Sequence, residues 1–177
     1  MTVVERSFAR VDAALKGYLR VLPGNRFTPL FASTQTGGSP QLSENAQSAL
    51  PDGLGHYLRA MDEKLDAILS ILTRQTLQED FPVPVLIHDI SGAGLRFSAD
   101  REFELGQGVE VVIALSSQSR SLAGTLGVVI RTEEHQGQRL WAVEFKDIRD
   151  CEREKIIQFV VARQREHIRE RNIAPSS

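Results

Sequence analysis

The feature that most constrains the fold is a series of five β-rich stretches between residues 83 and 145. Each is short and rich in Val, Ile, Leu or Phe, and glycines lie at or near the joints between them. They cover residues 83–89, 94–98, 109–115, 121–132 and 139–145. A loosely alternating stretch over residues 13–21 makes a sixth. Because short hairpin-like connections join most of them, we expect a mainly β protein built on a six-stranded antiparallel barrel, which buries the strands without exposed edges.

A different pattern, with helical period, lies between the first stretch and the other five. Apolar residues alternate at spacings of four and three, which is typical of a heptad seam. The seam residues are Leu54, Leu58, Met61, Leu65, Ile68 and Leu72. They predict an inserted amphipathic, coiled-coil helix over about residues 52–76, with Asp52 as its N-cap. Leu at the a positions with Ile or Met at d favours trimers or tetramers, and a homo-tetramer is expected. A dimer, or a helix folded back on its own barrel, is the alternative.

A C-terminal helix is expected over about residues 151–171, with Asp150 as its N-cap. Its expected apolar face consists of Ile157, Val160, Val161, Gln164 and Ile168. The chain then divides into an arginine-bearing lead with the first strand (1–22), an insertion (23–82), the rest of the barrel (83–150) and a C-terminal helix with a tail (151–177). Residues 32–47 within the insertion are rich in Ser, Thr, Gln, Asn and Gly, as in a mobile connection.

Composition and charge exclude several functional classes. The net charge of -2 gives no general basic field for DNA or RNA. One cysteine among 177 residues, no signal peptide and no apolar run of about 20 residues predict a cytoplasmic protein without membrane insertion. The histidines and the lone cysteine have no metal-ligand spacing, and no nucleophile–base pair or phosphate loop is present. We therefore expect neither an enzyme nor a cofactor.

Two motifs carry candidate binding chemistry. Arg6 and Arg10 stand four residues apart before the first strand, and a guanidinium fork suits phosphate oxygens or the edge of a guanine. Asp89, Ser91 and Gly94 form an Asp-x-Ser-x-x-Gly turn between two strands. A carboxylate can accept hydrogen bonds from a base, and a glycine allows close backbone approach. Considered alone, the two arginines can be explained as solvated surface charges. Considered alone, the Asp-x-Ser-x-x-Gly segment can be explained as an ordinary structural hairpin turn.

Together, the two motifs, the run of strands and the closing helix resemble the PilZ domain family. The matching segments are residues 5–11, 88–97, 127–131 and 141–145. The resemblance as a whole covers residues 5–22 and about 83–162. It implies a six-stranded barrel that binds cyclic di-GMP. Carried over by position, the ligand-binding residues are Arg6, Arg10, Asp89, Ser91 and Gly94.

The resulting hypothesis is a cyclic di-GMP receptor that orders its N-terminal segment on binding and signals to a downstream protein partner. The alternative is an oligomeric adaptor that binds no nucleotide and acts through protein–protein contacts. Family members of that kind typically lack one of the two motifs, and here both are present. Glu5 stands where many members that bind two stacked ligands have a basic residue, which disfavours four phosphates in one site.

Overall fold

The structure, a computed structural model, describes residues 9–24, 27–31, 51–115 and 121–173. Six antiparallel strands close into a barrel in the order β1-β2-β3-β6-β5-β4, which confirms the expected fold class. The strands are β1 (Arg10–Val21), β2 (Val83–Ser91), β3 (Gly94–Ser98), β4 (Gly108–Ala114), β5 (Leu122–His135) and β6 (Gln138–Asp147). In the same part of the chain, helix α1 (Asp52–Asp80) lies between β1 and β2, and helix α2 (Asp150–Ile173) follows β6.

The ends of the elements differ from the sequence-based expectation in three informative places. Strand β1 begins at Arg10 instead of residue 13, so the second arginine of the candidate motif is the first residue of the barrel. Helix α1 continues past residue 76 to Asp80. Both predicted N-caps are wrong, because Asp52 and Asp150 are the first residues of their helices. An acidic residue in a first turn is still favoured by the helix dipole.

The barrel interior is filled by every second residue of the strands, as the alternation of side chains across a sheet requires. Leu19, Ile87 and Phe97 have no solvent exposure. The ring of Phe103 meets those of Phe97 and Trp141 edge-on, with centroids 5.3 and 5.5 Å apart. This aromatic group closes the core on the side of β3 and β6.

The outward face of β4 is buried as well, because residues that follow β1 lie across it. The carboxylate of Glu110, which is 1% exposed, accepts hydrogen bonds from the backbone N–H groups of Leu30 and Phe31 at 2.8 to 3.0 Å. It also accepts one from Nε of Arg20 at 2.6 Å. A buried carboxylate needs such partners, so Glu110 fixes the start of the insertion to the barrel.

The C-terminal end of α1 is the part that contacts the barrel. Leu77 and Phe81 are buried and pack with Val112 of β4. The heptad seam is exposed by contrast, with exposed fractions between 42% and 54% for its six residues. The helix therefore does not fold its seam back onto its own barrel.

Helix α2 packs on the barrel through a face that overlaps the expected one at Val160 but is rotated toward Ile156. Ile156 and Val160 are buried, whereas Val161 and Ile168 are exposed. The side chain of Glu152 is fully buried and accepts a hydrogen bond from a backbone N–H of β5 at 2.9 Å. The first half of α2 is thus held by a glutamate that the apolar pattern ignores.

Candidate functional site

Two parts of the chain that are distant in sequence meet at the start of β1. In the pairing of β1 with β2, Arg10 lies opposite Ser91. Nε of Arg10 is 3.4 Å from Oδ1 of Asp89. Gly94, the first residue of β3, pairs with Ser91 from the other side. The structure therefore brings four of the five predicted site residues together, and Arg6 lies outside the described residues.

Asp89 is a fully buried carboxylate in the middle of this group. Its Oδ2 forms an ion pair with Arg96, which lies opposite it on β3. Its Oδ1 has no hydrogen-bond partner within the described part of the chain, although Arg10 lies within ion-pair distance. Burying a carboxylate is costly unless it is paired, so the two arginines neutralise Asp89 and are oriented by it in return.

Ser91 and Gly94 maintain the turn between β2 and β3. The hydroxyl of Ser91 donates to the carbonyl oxygen of Gly94 at 3.2 Å and accepts from the N–H of Ala93 at 3.3 Å. A Cβ atom at position 94 would overlap the carbonyl oxygen of Val143 on β6. The glycine thus allows close approach between two strands of the barrel, where the sequence suggested close approach to a ligand.

A second ion-pair group continues from Asp89 along the barrel wall. Nη1 of Arg96 donates to Oε2 of Glu133 at 2.7 Å, and Nε of Arg131 lies 2.7 Å from Oε1 of the same glutamate. Arg96 and Arg131 belong to different strands, and each pairs with Ala142 of β6 between them. The cluster therefore extends from β1 to β5.

These contacts shift two pKa values in directions that favour charge. The hydrogen bond from Arg96 lowers the pKa of Glu133 below its usual value of 4.5, against the opposing effect of burial, and the charges of Arg131 and Arg10 lower it further. Partial burial acts to lower the pKa of Arg96, but hydrogen bonds to Glu133 and Asp89 outweigh it and the pKa is raised. Both shifts favour the charged forms of Arg96 and Glu133 at neutral pH.

Sequence analysis did not identify Arg96, Arg131 or Glu133 as candidate site residues. Two local signals were present: Arg96 follows the Asp-x-Ser-x-x-Gly turn directly, and Arg131 and Glu133 share one face of β5. What sequence alone does not give is the strand order, in which β6 separates β3 from β5.

Over the described ranges, no three His, Cys, Asp or Glu side chains are grouped so that they could hold a metal ion. Neither helix of those ranges is both long and apolar enough to cross a membrane.

The PilZ domain family model matches residues 63–162, which is more than half of the chain. The match starts within α1 and ends within α2. Asp89, Ser91 and Gly94 lie inside it, whereas Arg6 and Arg10 lie outside. No curated protein matches the sequence significantly.

Solved structures of PilZ domain proteins are similar to this one. A tetrameric PilZ domain protein from Xanthomonas campestris, self-assembled via a helical bundle, aligns with a TM-score of 0.58 and 18% identity over 92% of each chain. The Bacillus subtilis inhibitor of motility, MotI/DgrA, aligns with a TM-score of 0.53 and 15% identity over 93% of this chain. The chain spans about half of that protein, 53% of its length.

The PilZ domain of YcgR from Escherichia coli, solved with c-di-GMP, aligns with a TM-score of 0.44 and 10% identity over 52% of this chain and 79% of that domain. This likeness is too distant to carry an argument. At 18% and 15% identity, the alignments with the Xanthomonas campestris and Bacillus subtilis proteins show similarity of fold alone.

Proposed function

The chain belongs to the PilZ domain family, and on that premise we propose that it is a receptor for cyclic di-GMP. The proposed ligand-binding residues are Arg6, Arg10, Asp89, Ser91 and Gly94. The observation that carries the proposal is the ion pair between Arg10 and Asp89, in which the two motifs of the family meet at one edge of the barrel. The pair joins the N-terminal motif to the turn, as a shared ligand site requires.

The chemistry of this edge suits an anionic purine nucleotide. Arg10 approaches Asp89 through Nε, and the two Nη groups carry the remaining donors of its guanidinium. With about a third of its side chain exposed, Arg10 can offer them to a phosphate or to the O6 and N7 atoms of a guanine. Asp89 keeps the guanidinium in place and has an oxygen without a hydrogen-bond partner in the described chain, which suits a donor from a base.

Ser91 and Gly94 act in this proposal mainly through the backbone. The hydrogen bonds of Ser91 fix the turn, and Gly94 lets β3 lie close to β6. Together they set the position of Asp89 at the end of β2 and of Arg96 on β3. Their contribution to binding is a rigid platform on which the arginines are arranged.

We propose that the signal is carried by the N-terminal segment. Arg10 opens β1, and Arg6 lies four residues before it. A ligand that holds both arginines fixes this segment against the barrel, and the resulting surface is read by a protein partner. The protein in this account is a non-catalytic effector that acts in the cytoplasm.

We also propose that the chain assembles with further copies of itself through α1, as a tetramer. The six seam residues are exposed on a helix that is anchored in the barrel through its C-terminal end. Exposed apolar residues at heptad spacing are satisfied by other helices of the same kind. The tetramer formed by the Xanthomonas campestris protein through a helical bundle agrees with this proposal.

Calorimetric titration of Arg10→Ala with cyclic di-GMP tests the receptor proposal. Loss of charge-assisted hydrogen bonds should weaken binding by about tenfold or more. Arg153→Ala is the matched control, because it removes an exposed arginine of α2 and the same charge. Hydrogen exchange of the ligand-saturated wild-type protein should show slower exchange over residues 1–12. Equal affinity of the two variants, or unchanged exchange, would contradict the corresponding part of the proposal, and absence of any binding would favour the adaptor.

A further inference from the structure

Arg96 and Arg131 form a pair of guanidiniums across the outer wall of the barrel. Both lie in register with Ala142, one on each neighbouring strand. Alanine has the smallest side chain that includes a Cβ, so little side-chain bulk separates the two arginines. The side chains of Arg96 and Arg131 are 27% and 49% exposed, so both can be reached from solvent.

Glu133 bridges this pair of arginines. Each carboxylate oxygen of Glu133 forms an ion pair with one arginine. Oε2 lies 2.7 Å from Nη1 of Arg96, and Oε1 lies 2.7 Å from Nε of Arg131. A phosphate presents the same feature to arginines, namely two anionic oxygens on one centre. The geometry around Glu133 is therefore that of a phosphate site whose anion belongs to the protein.

We propose that Glu133 is an internal competitor of the ligand: it occupies a phosphate position formed by Arg96 and Arg131, and a phosphate of cyclic di-GMP displaces it. This inference rests on the proposed receptor function and names a regulatory residue of that site. Glu133 is 32% exposed at the end of a long strand, so its side chain can turn to solvent without exposing core residues.

The charges of the cluster agree with this exchange. Arg10, Arg96 and Arg131 face Asp89 and Glu133, so the group carries one net positive charge while Glu133 is in place. Removal of Glu133 from the pair leaves two positive charges near the wall. A dianionic ligand is then neutralised, and its second phosphate gains a position in addition to the arginines of the N-terminal motif.

The position of Arg96 links the two halves of the site. Its guanidinium pairs with Asp89 on one side and with Glu133 on the other. Asp89 in turn faces Arg10. A ligand held by Arg10 is thus next to the arginine that Glu133 neutralises, and the lowered pKa of Glu133 reflects the charges of Arg10 and Arg131 as well as its bond to Arg96.

A purely structural ion pair is the other explanation for Glu133. That role predicts that removal of the carboxylate leaves ligand affinity unchanged, or weakens it through disturbance of Arg96. The competitor role predicts the opposite sign, a gain in affinity. The sign of the change therefore separates the two explanations.

The test is calorimetric titration of cyclic di-GMP into the wild-type chain, Glu133→Gln, Glu134→Gln and Arg131→Ala at constant ionic strength. Glu133→Gln keeps the shape and removes the charge, and we expect a Kd about threefold to tenfold lower than that of the wild type. Glu134→Gln is the control: it makes the same charge change at the next residue, on the opposite face of β5. We expect its Kd to stay close to the wild-type value, and Arg131→Ala to raise the Kd about fivefold.

The outcomes separate this inference from the receptor proposal. Wild-type binding with no gain in Glu133→Gln, or an equal gain in Glu134→Gln, overturns the competitor role and leaves the receptor function intact. No binding by any of the folded variants overturns both proposals. Thermal melts of all four proteins establish that the barrel is folded in each.

Discussion

At the scale of single residues, the turn between β2 and β3 serves the packing of the barrel and, in the proposed function, ligand binding as well. Gly94 lies where β3 meets the backbone of β6, and a side chain there would overlap a carbonyl oxygen of that strand. Ser91 is 5% exposed, and its hydroxyl forms a hydrogen bond within the turn itself. Asp89 is buried between two arginines. Arg10 and Arg96 are partly exposed at this edge, and Ser91 and Gly94 hold the turn that positions them.

Substitution Gly94→Ala is expected to destabilise the fold, because the added methyl group meets backbone that cannot move independently. Overpacking of this kind costs about 1–3 kcal/mol and should lower Tm in a thermal melt. Gly108→Ala is the control, since a Cβ there makes only ordinary contacts at 3.5 Å in the same barrel. Equal melting temperatures for the two variants would show that the β3–β6 approach is not constrained as described.

The site residues divide clearly into those that sequence can reveal and those it cannot. Arg10, Asp89, Ser91 and Gly94 are named by two local motifs, and the barrel brings them together. Arg96, Arg131 and Glu133 form their contacts across β3, β6 and β5. Their proximity depends on a strand order that does not follow the chain, and no local pattern encodes it.

At the scale of elements, α1 and α2 differ in how well periodicity predicts them. The seam of α1 follows the heptad rule, and its helix is found where expected, with an end at Asp80. In α2 the buried side combines Ile156 and Val160 with Glu152. Because a buried glutamate counts as polar in any hydrophobic pattern, the pattern selects a rotated face that includes the exposed Val161.

The substitution Leu65→Asp should dissociate the proposed tetramer and leave the barrel folded. Leu65 lies in the centre of the seam and is 52% exposed, so a charge there disrupts contacts between chains and not the core of one chain. Light scattering coupled to size-exclusion chromatography gives the mass. Ala67→Asp, at an exposed position outside the seam, should keep the mass of the wild type. A monomeric wild-type protein, or one that keeps its mass in Leu65→Asp, would contradict assembly through α1.

At the scale of the whole molecule, the chain combines a closed barrel with an insertion that is fixed to it at both described ends. Glu110 holds the segment after β1, and Leu77 and Phe81 hold the end of α1, all against β4. The proposed ligand site uses β1, β2, β3 and β5, and the proposed assembly surface uses α1. Binding and assembly thus belong to different elements, so each can be disrupted by substitutions that leave the other surface unaltered.

The barrel itself could be predicted from the sequence, because alternation and glycine-marked joints are local properties of each strand. The two buried glutamates could not. Glu110 and Glu152 are fully or almost fully buried, and both are satisfied by backbone N–H groups from other parts of the chain. Because these donors are distant from the glutamates in sequence, only the folded structure reveals the contacts.

The central claim is that the edge formed by β1 and the β2–β3 turn recognises cyclic di-GMP. Calorimetric titration of the wild-type chain with cyclic di-GMP, beside cyclic di-AMP at the same concentrations, tests it most directly. Both ligands carry two phosphates. Guanine offers O6 and N7 together to an arginine and the adjacent N1–H and N2–H donors to a carboxylate such as Asp89, whereas adenine has an amino group in place of O6. The account predicts saturable binding of cyclic di-GMP and at least about tenfold weaker binding of cyclic di-AMP. Equal affinity for the two, or no binding of cyclic di-GMP by the folded protein, would contradict it.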